Sequence, residues 1–290
     1  VGTVGMWVVT GVDGVAFGML LFTAAIGLTL IFGVMGVLNL AHGVFYLAGA
    51  YLAYLIADGS LLLLAGAFAA AVVLGATAGA GLAVALAPVR GHLDQALVTL
   101  GLAFLAADVF TTVFGAGPQL AEPPEVLAGH VMLGGYGYPV YRLVFIAVAG
   151  LLAVVLHLVV RHTTAGILLR ATVADPAMSA AMGVRPGRVQ TAAMAVGGSL
   201  AVVAGVLGAP VLGPAPGVDA TVLVLALIIV VLGGAGSVPG TAAGALLVGQ
   251  VQTTGTLLAS AAAPFVLFAA LLVVLVVRGR RQPQAAGSPA

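Results

Sequence analysis

Residues 27–54 read GLTLIFGVMGVLNLAHGVFYLAGAYLAY, inside a longer stretch from Asp13 to Asp58 with no Asp, Glu, Lys or Arg between its ends. A helix crossing a bilayer needs about 20 apolar residues, because the hydrocarbon core is about 30 Å thick and each residue rises about 1.5 Å. The stretch therefore has room for two passes. Gly36 and Asn39 punctuate its middle, ending one apolar helix and starting the next, with Asn39 as the expected cap. On the second helix His42, Tyr46, Gly49, Ala53 and Tyr54 share a side at i, i+3, i+4 spacing. Polar groups in a membrane helix face protein or a water-filled cavity. Asn39, His42 and Tyr46 are thus candidates for lining a substrate pathway. Ordinary helix packing, with the His and Tyr groups satisfied internally, accounts for the same pattern. No second His or carboxylate stands at metal-ligand spacing, so no metal site is expected.

Composition extends this reading to the whole chain. Of 290 residues 62% are hydrophobic and only 6% charged, with a mean hydropathy of +1.27. A soluble domain carries roughly a quarter charged residues, so most of this surface must meet lipid. The basic residues are all arginine, sparse and without a basic aromatic face, which argues against a nucleic-acid partner. The absence of cysteine excludes disulfides and thiolate chemistry. The first basic residue is Arg90, so the first apolar segment lacks the positive flank of a cleavable signal and reads as a retained span.

Further passes are expected over residues 59–89, 94–114, 139–160 and 189–209. Residues 220–277 are again uncharged. Gly233, Gly234, Gly236, Pro239, Gly240 and Pro264 divide them into segments near 220–235, 240–258 and 263–277. The expected fold is an all-α integral membrane protein of about nine transmembrane helices, within a range of about eight to ten. Residues 1–281 form a single transmembrane domain and 282–290 a disordered, Pro/Ala/Gly/Ser tail. The interruption at Gly233 to Gly240 repeats in outline the one at Gly33 to Asn39, as a degenerate inverted repeat would. Cytoplasmic loops are enriched in arginine. With nine passes Arg90, the group Arg161, Arg170, Arg185 and Arg188, and the tail Arg278, Arg280 and Arg281 fall on one side, with only Arg142 opposite. That parity puts the N-terminus outside and the C-terminus in the cytoplasm. The Gly- and Pro-rich outside loop, 116–138, is either a connector or a contact for an external partner.

Three further features carry information. The loop 161–188 reads RHTTAGILLRATVADPAMSAAMGVRPGR. Asp175 is a good N-cap and Pro176 suits the first helical position. Ala177, Met178, Ala180, Ala181 and Met182 continue the helix, and Gly183 stops it. Such a helix either lies on the bilayer or docks a cytoplasmic partner. Gly75 with Gly79, and Gly240 with Gly244, form GxxxG pairs that permit close helix approach. Asp108 is the one acid well inside an expected pass. It reads as a proton site, a pairing group for a neighbouring subunit, or a group facing a wet cavity. Asp13 and Asp219 read as span ends, where a carboxylate is unremarkable. No GxSxG, metal cluster or paired intramembrane carboxylates suggest an enzyme.

Residues 27–54, TLGLAF (99–104), RHTTAGILLRATVADPAMSAAMGV and RVQTAAMAVGGSLAVVAGVLGAP (188–210) resemble, in order and spacing, the branched-chain amino-acid ABC transporter permeases of the LivH type. The resemblance runs from about Gly18 to Arg278. It implies packed helices with inverted repeats in the cytoplasmic (inner) membrane of a prokaryote. It implies a non-enzymatic subunit that binds no cofactor, ATP and Mg being held by partners. The expected partners are a second permease (LivM-like, or a second copy), two cytoplasmic ATPases and an extracytoplasmic solute-binding protein. The helix Asp175 to Gly183 would be the ATPase coupling helix. Asn39, His42, Tyr46 and Asp108 remain the expected pathway residues, and branched-chain amino acids the expected substrate. Urea, short amides or other amino acids are the alternatives within the family, and a proton-coupled secondary transporter is the alternative outside it.

Overall fold

The computed structural model describes residues 3–89, 91–234 and 236–259, with scattered positions from 265 to 276. Helices α1 (Thr3–Met35), α2 (His42–Ile56), α3 (Leu61–Leu86) and α4 (His92–Phe114) come first. A loop with one 3-10 turn, Glu125–Leu127, leads into the antiparallel pair β1 (His130–Leu133) and β2 (Tyr136–Pro139). Then follow α5 (Val140–His162), α6 (Thr164–Ala174), α7 (Pro176–Ala181), α8 (Pro186–Leu212), α9 (Val218–Gly233) and α10 (Val238–Ala259). Helices α1, α3, α4, α5 and α8 are long and apolar enough to cross a bilayer, whereas α2 and α9 are shorter apolar helices. At about 1.5 Å per residue, α2 and α9 reach only some 22–24 Å. They begin or end at the Gly-rich interruptions, with Gly36 and Gly234 both at positive φ. The expected pass over 263–277, Arg90, the tail arginines and residues 282–290 lie wholly or largely outside the described residues.

Helix α8 is the centre of the packing, with α3, α2 and α1 against it, and α1 is held in turn between α8 and α10. Lipid tails are as apolar as leucine, so close van der Waals contact and hydrogen bonds hold such helices together. The sequence supplies both. A Cβ at Gly75 would strike the backbone of Gly198 and Ser199, and one at Gly79 the Met194 carbonyl. Ser199 Oγ donates to the Val72 carbonyl at 2.9 Å across the same contact. The second GxxxG is also internal, Gly240 lying against Gly233 of α9. Gly27 and Gly197 meet each other's carbonyls where α1 crosses α8. Leu20 lies near Gly208 further along, so the two helices run antiparallel. The pairing has a reciprocal pattern. Helix α1 packs on α10 as α8 packs on α3, and α2 packs on α8 while α9 packs on α1. That is the relation expected of two three-helix units, α1–α3 and α8–α10, repeated with opposite direction.

Four local expectations need correction. Helix α1 begins at Thr3, so Asp13 lies inside a helix and not at its start. A charge there is tolerated because Arg142 and Tyr138 reach it from α5 and β2. Asn39 does not cap α2: Ala41 holds that position, and Asn39 Oδ1 instead accepts the Ala41 N–H at 3.1 Å. The 116–138 loop contains a hairpin whose turn, Gly134 and Gly135, has positive φ at both residues, as a two-residue turn of type I′ requires. Gly134 rests on Gly5 of α1. The 161–188 loop holds a second helix, α6, capped by Thr163, whose side chain accepts the Gly166 N–H.

Candidate functional site

One end of the molecule is built by α6 and α7. Asp175 leaves the helical region at φ −155° and its Oδ1 accepts the Met178 N–H at 2.9 Å. Pro176, at the first helical position, gives up a donor that would have been unpaired anyway. At the other end Gly183 takes φ +88°. Its N–H bonds the Ala180 carbonyl and the Val184 N–H the Ser179 carbonyl, both at 3.0 Å. This pair of bonds is the Schellman arrangement. A helix of six residues is marginal in water, and here caps at both ends hold it. Only Ser179 is buried. Ala177, Ala180 and Ala181 are exposed, as are Met178 (61%) and Met182 (79%), one turn apart. Arg170 of α6 fixes the mount by donating to the carbonyls of Val160 and Arg161 at the end of α5.

The polar face of α2 is turned into the bundle. Asn39, His42 and Tyr46 are buried. His42 Nε2 lies 2.8 Å from the Ala24 carbonyl of α1, and Tyr46 packs on Gly205 and Gly208 of α8. Gly49 and Ala53 continue the buried stripe, while Tyr54 emerges from it. A flank of α2, with Phe45 and Ala48 and the preceding Ala41, borders an apolar cavity of about 460 Å³ between α2, α3, α4 and α8. Asp108 does not join Asn39, His42 and Tyr46. It is exposed on α4, on the side of Phe104 and Leu105, whereas Phe110 and Phe114 stack on Tyr51 at 5.2 and 4.1 Å.

At the end opposite α7, a cavity of about 540 Å³ opens between α1, α5, α8 and α10. Asp13 and Arg142 line it as an ion pair. Tyr138 donates to the same carboxylate oxygen at 2.9 Å. Burial, with the Asp13 carboxylate beside it, raises the Tyr138 phenol above its usual range and keeps it a donor. Among the described residues, Thr10, Gln252, Thr253 and Thr256 add to the polar wall. The sequence alone does not reveal this site, because its charges stand 129 residues apart. Its one visible signal was Arg142, the arginine on the wrong side of the charge pattern.

Three curated relatives are similar over nearly the whole chain. The high-affinity branched-chain amino acid transport system permease protein LivH of Escherichia coli (strain K12) is 29% identical over 282 residues, 91% of each chain. LivH of Salmonella typhimurium is 28% identical over 283 residues, 91% of each. The corresponding permease BraD of Pseudomonas aeruginosa is 27% identical over 285 residues, 92% of each. No solved structure matches the chain. Residues 11–277 match the model of one family from the first turns of α1 past the end of α10, through both the α1–α2 break and the capped α7. The chain therefore belongs to the family of permease components of branched-chain amino acid transport systems, multi-pass proteins of the inner membrane.

Proposed function

We propose that this chain is the membrane-spanning permease subunit of an ATP-binding-cassette importer that moves branched-chain amino acids inward by alternating access. The observation that carries the reading is α7, a six-residue helix capped at both ends and presenting two exposed methionines. A helix so fixed and so exposed suits contact with a moving partner. The ATPases would close on ATP, push α7 through α6 and α5, and switch the bundle. Asp175, Pro176, Ala177, Met178, Ala180, Ala181, Met182 and Gly183 form that coupling element. In this assembly a second permease, LivM-like or another copy, completes the membrane unit. Two cytoplasmic ATPases hold ATP and Mg, a soluble protein delivers substrate from outside, and this subunit performs no chemistry. The α6–α7 end, with Arg161, Arg170, Arg185 and Arg188, is then cytoplasmic, and the N-terminus and hairpin face outward. The names of the relatives support the substrate class.

The test is uptake of labelled leucine in cells lacking the gene, with and without its return, competed by isoleucine, valine and urea. ATP is depleted while the proton gradient is held. Restored uptake that needs ATP and is competed by isoleucine and valine is expected. Competition by urea or amides alone would move the substrate class. Uptake that ignores ATP, follows the gradient and disappears in Asp108→Asn would replace the importer by a proton-coupled carrier.

The pathway role of Asn39, His42 and Tyr46 requires the α1–α2–α8 contacts to open in another state. Single cysteines there are expected to resist water-soluble thiol reagents in the resting complex, as their burial demands, and to react when nucleotide is trapped. Silence in both states would remove them from the pathway. The same scan at Asp108 is expected to give reaction only where no neighbouring subunit covers α4.

A further inference from the structure

We propose that the cavity between α1, α5, α8 and α10 receives the substrate as a zwitterion, Arg142 taking the α-carboxylate and Asp13 the α-ammonium. The assignment rests on the importer reading above and goes beyond it by naming where recognition occurs. Two charged groups of opposite sign set against an apolar helix bundle need a reason. Structural ion pairs exist, but they close on themselves. Here the Asp13 and Arg142 side chains stay 31% and 33% exposed at the wall of a cavity of about 540 Å³, within the size range of small-molecule sites. The bonds from Arg142 and Tyr138 both end on Oδ1 of Asp13, and among the described residues Oδ2 accepts none. The guanidinium gives Asp13 one nitrogen, Nη1, and also reaches the Tyr138 hydroxyl, but a fork of five N–H donors has donors left for a second carboxylate.

A free amino acid carries the mirror image of this pair. On entering, it exchanges one ion pair for two, and the site stays neutral before and after. No uncompensated charge is carried into the membrane, which is the main cost of such a step. The remaining walls fit the rest of the molecule. Phe17, Phe145, Val211 and Leu257 give an apolar surface for a branched side chain, and Thr253 and Thr256 a polar rim. Among the described residues, the apolar cavity bordered by Phe45 and Phe110 offers a zwitterion no charged group. The cavity also lies where arrival is needed. It shares its end of the molecule with the hairpin, opposite α7, and so opens outward in the proposed orientation. In the empty state the pair fastens α1 to α5. Substrate loosens that fastening, so the site is weak by construction and suits release.

The reporter is Thr256→Cys, an exposed position on the cavity wall in a chain without cysteine. The assembled membrane complex in vesicles, without the soluble binding protein, is labelled with a membrane-impermeant maleimide. L-leucine is expected to slow labelling at least about tenfold. Leucinamide, lacking the carboxylate, and 4-methylpentanoate, lacking the ammonium, should protect about tenfold less well, as loss of one charge-assisted contact implies. Adding Arg142→Gln should abolish protection by leucine while Thr256→Cys still labels. Equal protection by all three compounds, no protection, or no labelling would each overturn the proposal. The two readings fail separately once the soluble binding protein is added back to the same vesicles for the uptake assay. ATP-driven leucine uptake with it, but no protection without it, refutes this site alone, and protection without any uptake in its presence refutes the importer reading alone.

Discussion

Gly49→Leu is expected to leave little folded permease in the membrane. At the α2–α8 crossing the backbones touch. A Cβ at Gly49 would occupy the place of the Val202 carbonyl, and one at Gly205 that of the Tyr46 carbonyl. Overpacking a core usually costs about 1–3 kcal/mol because side chains can yield. Backbone carbonyls that already close helical hydrogen bonds cannot yield, so the helices must part. Parting them undoes the contacts of Tyr46, Ala50 and Ala53 with Val202, Val203 and Val206 as well. The measurement is the yield and thermal stability of the solubilised protein beside Gly66→Ala and Gly150→Ala. At those two glycines nothing lies within 4 Å of an added Cβ. Alanine there is expected to be neutral or to help by at most about 1 kcal/mol, the usual helix preference for alanine over glycine. If Gly49→Leu proves as stable as these controls, α2 and α8 do not approach as described.

The second large effect is expected on transport and not on assembly. Gly183→Pro removes the N–H that bonds the Ala180 carbonyl at 3.0 Å. It also places a residue locked near φ −65° where the chain needs +88°. The C-terminal cap of α7 then cannot form. The buried core of α1 and α8 does not depend on that turn, so insertion should persist. Leucine uptake should fall at least about tenfold, the consequence of losing a short helix that has no stability of its own. ATP hydrolysis should continue without driving transport. Gly183→Ala keeps the donor and carries only the left-handed strain, about 1–2 kcal/mol, so its loss of uptake should be partial. Arg170→Glu should act like the proline variant, since a carboxylate would face the Val160 and Arg161 carbonyls where a guanidinium now donates. Normal uptake in both Gly183→Pro and Arg170→Glu at equal expression would end the coupling assignment.

Much of the architecture is legible in the sequence alone. Hydropathy located α1 to α5 and α8 to α10, and the Gly-rich interruptions at 36–39 and 233–240 marked the broken ends of α1 and α9. Asp175, Pro176 and Gly183 announced α7 completely, because caps are decided within a few residues of chain. The hairpin went unread although Gly134 and Gly135 stood between two short segments, since the Gly- and Pro-rich surroundings masked it. Asp13 reads as a boundary in the sequence because a charge usually is one. Its partner lay out of sight of any local rule.

What the sequence determined by itself was therefore local: which segments are helical, where they stop, how α7 is held, and that lipid is the solvent. What only the tertiary structure decided was which face meets which. In water a helix shows its buried side by an apolar stripe. Here α1 and α8 are apolar all round, and lipid favours no face over another. The orientation of each helix is then set by small residues fitting backbones far away in sequence, such as Gly75 on Gly198 and Gly49 on Val202. By the same fit Tyr46 turned inward, Asp108 turned outward, and Asp13 was brought to Arg142. Shape summed over distant residues chose those neighbours, and no stretch of the chain carries that sum alone.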